Sequence, residues 1–105
     1  MSPEDFSPER PGDVVVEFAN GTVAHYRDNF LHREDGPAVV HENGTKEWWI
    51  GGHLHRDDGP AIEFPSGGFM YYRNGLIHRD DGPANVWADG REEFWTHGEQ
   101  QKATS

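Results

Sequence analysis

A seven-residue segment containing a histidine, an arginine and two acidic residues occurs three times in this chain. The copies, called heptads below, are residues 32–38 (HREDGPA), 55–61 (HRDDGPA) and 78–84 (HRDDGPA), spaced 23 residues apart both times. Imidazole, guanidinium and carboxylate groups support acid–base chemistry, metal binding and ion pairing. Because a catalytic site is needed once and a structural joint in every unit, the repetition favours a structural role.

The second acid of each heptad requires a partner. An aspartate often accepts a hydrogen bond from the backbone N–H two residues later, but for Asp35 that residue is Pro37, which has no N–H. The neighbouring arginine is the expected partner, because an Arg–carboxylate pair can be bidentate. The sequence therefore predicts a structural ladder that ties one turn to the next. Its members are His32, Arg33, Asp35, His55, Arg56, Asp58, His78, Arg79 and Asp81.

A His/Asp metal site is an alternative use of the same residue types. His53 and His55 would share one face of a strand, but structural zinc usually needs four convergent ligands. The heptad histidines would lie about 10 Å apart if two strands separate successive copies, too far for one ion. We therefore expect no metal and no cofactor.

Catalysis is also not expected from these residues. The chain has only two lysines and no glycine-rich phosphate loop. Glu92 and Glu93 would point to opposite faces of a strand, so they make a poor catalytic pair. We expect that the protein is not an enzyme.

Turn-forming and aromatic pairs keep the 23-residue spacing and predict an all-β fold. We expect two-residue turns at Asn20-Gly21, Asn43-Gly44, Ser66-Gly67 and Asp89-Gly90, with type I′ geometry for the Asn-Gly and Asp-Gly pairs. A second turn of each unit is expected at Gly51-Gly52, Asn74-Gly75 and His97-Gly98. The predicted architecture is about four tandem β-hairpin repeats that form an elongated, twisted antiparallel sheet. The repeat domain would span 14–98, between a flexible N-terminal arm (1–13) and a disordered C-terminal tail (99–105).

Residues 49–67 resemble a variant of the MORN repeat. The similar positions are Trp49, Gly52, Leu54 and the heptad His55-Arg56-x-Asp58-Gly59-Pro60-Ala61, followed by Ser66-Gly67. The pattern recurs from Tyr72, and the resemblance covers about residues 14–98. It implies 23-residue units that each form a β-hairpin. The variant is similar to repeats of uncharacterised bacterial and phage proteins, including a family described as antitoxins.

The charge of the chain indicates the kind of partner. Nineteen acidic against nine basic residues give a formal net charge of −10. Because binding to phosphates needs a surplus of Lys and Arg, we expect no direct nucleic-acid binding and instead a protein with a basic surface. The chain has no cysteine, and no apolar run suggests a membrane span. A cytoplasmic location is the expectation.

Adjacent rings on the second strand of each hairpin are candidate contact residues. Neighbours on a strand point to opposite faces, so one set would pack internally and the other would be available to a partner. The predicted partner-binding residues are Trp48, Trp49, Tyr71, Tyr72, Phe94 and Trp95, with Glu47, Glu92 and Glu93.

Three functions are compatible with these patterns. The first is a non-catalytic protein-binding module, for example an inhibitor or antitoxin that occupies the basic site of a nucleic-acid enzyme. The second is a structural homodimer or larger homo-oligomer that assembles through its sheet faces. The third is a repeat protein that binds a small ligand or a metal.

Overall fold

A computed structural model describes residues 12–101, which contain β-strands and no helix. Most strands are only two residues long, because frequent glycine turns interrupt them. The strands are β1 (Asp13–Glu17), β2 (Val23–Arg27), β3 (Phe30–Leu31), β4 (Val39–Val40), β5 (Lys46–Glu47), β6 (Trp49–Ile50), β7 (His53–Leu54), β8 (Ile62–Glu63), β9 (Phe69–Met70), β10 (Tyr72–Arg73), β11 (Leu76–Ile77), β12 (Asn85–Val86), β13 (Glu92–Thr96) and β14 (Glu99–Gln101).

Ten of these strands form one antiparallel sheet. Its order is β1-β2-β4-β5-β8-β9-β12-β13-β14, and β3 also pairs with β2. The short hairpins β6-β7 and β10-β11 form two small sheets of their own. Each hairpin along the chain adds to the same end of the large sheet, and the molecule measures 53 × 25 × 19 Å. The predicted all-β, antiparallel fold is confirmed.

The first set of predicted turns differs in type from the expectation. At Asn20-Gly21 only Gly21 has a positive φ (96°), and the N–H of Phe18 donates to the carbonyl of Thr22. This is a three-residue loop ending in a left-handed glycine, rather than a two-residue type I′ turn. The Asn20 side chain accepts the Thr22 N–H at 2.9 Å, which stabilises this alternative. The same three-residue geometry recurs at Gly44, Gly67 and Gly90.

Type I′ geometry occurs instead in the second set of turns. Both central residues have positive φ at Gly51-Gly52 (55° and 86°) and at Asn74-Gly75 (52° and 82°). These turns cap the short hairpins β6-β7 and β10-β11. The N–H of Gly52 donates to the carbonyl of Leu31, so each such turn also bonds to the preceding hairpin.

The most buried positions are small. Ala38, Ala61 and Ala84, the last residue of each heptad, are all 0% exposed, and no large side chain is fully buried in the described part. The backbone of Ala61 is bonded on both sides, since its N–H donates to Met70 and its carbonyl accepts from Trp48. Larger side chains such as Tyr26 and Trp49 are half-buried around this centre.

The predicted domain boundaries shift at both ends. Strand β1 already begins at Asp13, which had been placed in the arm. At the other end, Glu99–Gln101 pair with Phe94–Thr96 as the last strand, so the expectation of a disordered tail from residue 99 is wrong for these three residues. The rest of the predicted arm (1–11) and tail (102–105) lies outside the described residues.

Enlarging a heptad alanine should destabilise the fold. We expect Ala61→Leu to lower the free energy of unfolding by about 1–3 kcal/mol, because Ala61 is 0% exposed and the added carbons must displace the atoms that cover it. Ala88→Leu, at an exposed loop position, is the matched control and should change it by less than about 0.5 kcal/mol. Urea denaturation of both variants gives the two values, and equal losses would contradict the account of the core.

Candidate functional site

Each heptad folds back onto its own arginine. Nη1 of Arg56 donates to the carbonyl oxygen of Pro60 at 3.0 Å, and Arg33 and Arg79 make the equivalent bond at 3.3 and 3.1 Å. The guanidinium also lies against the glycine before that proline. A Cβ at Gly59 would stand 3.0 Å from the Arg56 Cζ, so the guanidinium would have to shift to make room for it. The Gly-Pro pair thus supplies both the acceptor and the space for the arginine.

The same guanidinium groups cover part of the aromatic strip. The Cζ of Arg56 lies 3.8 Å from the centroid of the Trp48 ring, and that of Arg79 lies 4.1 Å from the Tyr71 ring. A cation over a ring face contributes about 0.5–2 kcal/mol, depending on desolvation. Faces of the Trp48 and Tyr71 rings that were predicted to meet a partner are therefore occupied within the chain.

The arginine–aspartate pairs join residues of one heptad only. The Nε atoms of the three heptad arginines contact Oδ1 of the aspartate two residues later, at 3.0, 3.3 and 3.2 Å. Each pair uses a single nitrogen and a single oxygen, and the aspartate side chains remain 56%, 89% and 87% exposed. The predicted tie between successive turns is therefore not made by Arg33–Asp35, Arg56–Asp58 or Arg79–Asp81.

The histidines make that tie. Nδ1 of His55 accepts the backbone N–H of Asn74, 19 residues further on, at 3.0 Å. Gly51 donates to His32 and His97 donates to His78 in the same way, both at 2.9 Å. Because Nδ1 is an acceptor in this bond, a neutral ring must have its proton on Nε2.

The Nε2 atom of each heptad histidine lies near the first acid of the same heptad, and in the second heptad it donates to Asp57. The Nε2 atom lies 2.9 Å from Asp57 in the second heptad, 3.0 Å from Asp80 in the third and 3.5 Å from Glu34 in the first. These three acids were not among the predicted site residues. The sequence signal that could have identified them is the two-residue spacing between the histidine and the acid, which places both side chains on one side of an extended segment.

Four of the remaining aromatic and acidic candidates form Trp–Glu pairs. Nε1 of Trp49 donates to Glu47 at 2.8 Å, and Nε1 of Trp95 donates to Glu93 at 3.0 Å. Burial raises the pKa of the Tyr72 phenol. Phe94, with 36% exposure, is the exposed ring of the six, and Glu92 is exposed as well. The structure therefore does not present the predicted rings and glutamates as one open face.

A row of carboxylates is the surface that the heptads present. We call this set the acidic ridge: Glu34, Asp35, Asp57, Asp58, Asp80 and Asp81. Their side chains are between 51% and 89% exposed. Neighbouring heptads lie side by side, since residues of two successive heptads line one shared groove. Two strands separate successive heptads, which spaces the carboxylate pairs by about 10 Å.

Two shared grooves separate the three heptads. The first groove, between residues 33–36 and 55–58, has a volume of about 530 Å³ and also contains Trp48 and Ile50. The second, between residues 56–57 and 78–81, has a volume of about 230 Å³ and contains Tyr71, Tyr72 and Arg73. Both grooves are open to solvent and combine aromatic, guanidinium and carboxylate groups, which suits recognition of a polar or charged group.

Within residues 12–101, no group of three or more His, Asp or Glu side chains is arranged to hold a metal ion. That part of the chain also has no helix long and apolar enough to cross a membrane. In comparisons with known proteins, the chain matched no protein family, no curated protein and no solved structure.

Replacing a heptad arginine should cost more than removing its exposed partner. Arg56→Lys loses the planar contact with Trp48 and the fixed bond to Pro60, so we expect the free energy of unfolding to fall by about 2 kcal/mol. Asp58→Asn should leave the urea midpoint unchanged within error, because Asp58 is 89% exposed. If both variants lose the same stability, the Arg56–Asp58 pair, and not the stacking, holds the turn.

His25 should make stability depend on pH. Burial, and then the Arg33 guanidinium, lower the pKa of His25 below its usual 6.5, against smaller opposite effects of Asp35 and Asp13. The unfolded chain therefore binds a proton at His25 more readily than the folded chain. The resulting stability is present above pH 6.5 and is lost as the pH falls through the lower folded pKa.

Substitution of His25 tests this effect. The free energy of unfolding of His25→Gln should fall less than that of the wild type between about pH 7.5 and pH 5. Gln100→Asn, which removes no titratable group at an exposed position, is the control and should keep the wild-type slope. A wild-type slope in His25→Gln would contradict the assignment.

Proposed function

We propose that this protein is a non-catalytic, cytoplasmic protein-binding module that presents its acidic ridge to a partner with a basic surface. In this proposal the chain is a stack of about four MORN-like hairpin repeats, and one edge of the stack displays the ridge. The observation that supports it best is the regular row of exposed carboxylates on three neighbouring heptads.

The ridge is held in place before any partner arrives. Asp57 is bonded to His55, which is itself bonded to the backbone of Asn74. Asp58 contacts Arg56, which is fixed by Trp48. A preorganised set of charges loses little conformational entropy on binding, so more of its interaction energy appears as affinity.

The charge of the ridge selects the class of partner. A net charge of −10 repels phosphates and attracts basic surfaces over long distances, which raises the association rate. Proteins that bind nucleic acids have such basic surfaces. An inhibitor or antitoxin that covers the basic site of a nucleic-acid enzyme is the concrete form of this proposal. Phe94, at 36% exposure, is the ring of the predicted strip that remains available for additional contact.

Matched neutralisation of acidic residues tests the proposal. The ridge variant replaces Asp57, Asp58, Asp80 and Asp81 by Asn. The control variant replaces four exposed acids elsewhere, Glu17, Asp28, Glu42 and Glu99, by the corresponding amides, so both change the net charge equally. Both are used as bait beside the wild type in a nuclease-treated bacterial lysate, and retained proteins are identified by mass spectrometry.

The expected result is a basic protein that is retained by the wild type and the control, elutes with increasing salt, and is lost from the ridge variant. Equal loss from both variants would show that net charge alone is responsible. Retention by the ridge variant would contradict the proposal.

Homotypic assembly is the second candidate, supported by exposed apolar side chains. Phe30, Leu76 and Ile50 are 58%, 49% and 36% exposed. Phe30 lies in β3 of the large sheet, and Leu76 and Ile50 lie in the short hairpins beside it. Light scattering over a dilution series distinguishes the two: a mass that stays monomeric at high concentration removes this candidate.

A further inference from the structure

Arg27 contacts the histidine and the first acid of the first heptad. Its Nη1 atom lies 2.9 Å from His32 Nε2 and 3.3 Å from the Glu34 carboxylate, and its Nε and Nη2 atoms bind Asp13. Both atoms lie near the Glu34 carboxylate, since His32 Nε2 is 3.5 Å from it. An arginine preceding the turn therefore sits against the His–acid pair of the first heptad.

Arg73 repeats this contact in the third heptad. Its Nη1 atom lies 3.4 Å from His78 Nε2 and 3.6 Å from the Asp80 carboxylate. Positions 27 and 73 are 46 residues apart, twice the spacing of the heptads. The corresponding position of the middle unit is residue 50, which is isoleucine.

The middle heptad therefore has the same His–acid pair without the arginine. His55 and Asp57 lie 2.9 Å apart, and Asp57 is 83% exposed. The groove at Ile50 has a volume of about 530 Å³, against about 230 Å³ for the groove that contains Arg73. The space is thus larger where the arginine is missing.

The two grooves also differ in the numbers of acidic and basic side chains that line them. Three carboxylates and three guanidinium groups line the second groove, and Arg73 is one of the latter. In the first groove, four carboxylates face two guanidinium groups. The carboxylates of the first groove are Glu34, Asp35, Asp57 and Asp58. Compared with the second groove, the first groove therefore has one guanidinium group fewer and one carboxylate more.

We propose that the first groove binds an arginine side chain of the partner protein. The guanidinium takes the place that Arg27 and Arg73 occupy in the neighbouring units, against Asp57 and next to His55. Its aliphatic stem lies on Ile50, which is 36% exposed. Glu34 faces it across the groove. A planar guanidinium can bind a carboxylate through two parallel bonds, so arginine is preferred over lysine. This inference rests on the proposed function and names the group that the partner inserts.

Peptide binding to the isolated protein tests this inference without the partner. The probe is acetyl-Gly-Arg-Gly-amide, titrated into ¹⁵N-labelled protein and followed by the amide of Asn74, which bonds to His55. We expect saturable shifts at Asn74 and Ile50. The corresponding lysine peptide should bind more weakly, and the citrulline peptide, which has the same shape without charge, should cause no saturable shift.

Ile50→Arg supplies the missing side chain within the chain itself. We expect this variant to keep the wild-type spectrum elsewhere and to lose binding of the arginine peptide. Ile50→Gln is the matched control, because it introduces a polar side chain without a guanidinium group, and it should still bind.

Asp57→Asn provides a second test that does not alter the apolar wall. We expect its dissociation constant for the arginine peptide to rise about tenfold, as expected for loss of a charge-assisted bond. Asp80→Asn is the matched control in the groove that already contains Arg73, and it should leave peptide binding unchanged.

Three results would overturn the inference: equal shifts with the citrulline peptide, undiminished binding to Ile50→Arg, or equal effects of Asp57→Asn and Asp80→Asn. Failure here is distinct from failure of the proposed function. If the ridge variant loses a basic partner while the peptide does not bind the wild type, the ridge stands and the arginine groove is wrong.

Discussion

The stacking of an arginine on its own turn is the interaction on which the rest of this structure depends. In the second heptad, Arg56 contacts Trp48, Gly59 and the Pro60 carbonyl at once. These three contacts determine the path of the chain through the heptad. They also place Ala61 between two strands, where there is no space for a larger side chain. Turn geometry and core packing are therefore consequences of one side chain.

Polar joints replace a thick core in this protein. The most buried residues are mainly alanines, and no large side chain is fully buried in the described part. Successive hairpins are instead connected by backbone bonds and by histidines such as His55, whose Nδ1 accepts an N–H 19 residues away. Among residues 12–101 no buried side-chain nitrogen or oxygen lacks a hydrogen-bond partner. Such networks specify geometry well because an unpaired polar group in the interior is costly.

The order of basic and acidic residues in the heptad links the structure to the proposed function. The histidine pairs with the first acid and the arginine with the second, each over a spacing of two. Because the histidine and the arginine are partly buried and both carboxylates are exposed, each joint leaves negative charge on the surface. A row of joints is consequently also a row of exposed carboxylates, which are the groups that the proposed function uses. Arg27 and Arg73 lie against the first acids of the first and third heptads. The corresponding position of the middle unit is Ile50, so the second heptad has no guanidinium group there.

The amino-acid sequence predicted the strands and turn positions better than the contacts. Periodic glycines such as Gly44 and Gly52 located the turns, but Asn43 has no positive φ, so the loop type depended on an additional side-chain bond that composition does not reveal. Glu47 was expected to contact a partner. Because it lies two residues before Trp49, it instead accepts a hydrogen bond from the indole nitrogen of Trp49. The replacement of arginine by Ile50 is visible in the sequence, but its meaning required the position of Arg73 beside His78.

Nuclear magnetic resonance of the arginine Nε–H groups tests the central claim most directly. If the heptad arginines are fixed on their turns, Arg56 and Arg79 will show separate, slowly exchanging Nε–H signals with ring-current shifts and nuclear Overhauser contacts to Trp48 and Tyr71. The peptide acetyl-Gly-Arg-Gly-amide, measured under the same conditions, provides the reference for a mobile guanidinium. Signals of Arg56 and Arg79 that are averaged to the position and exchange rate of this peptide would contradict the account.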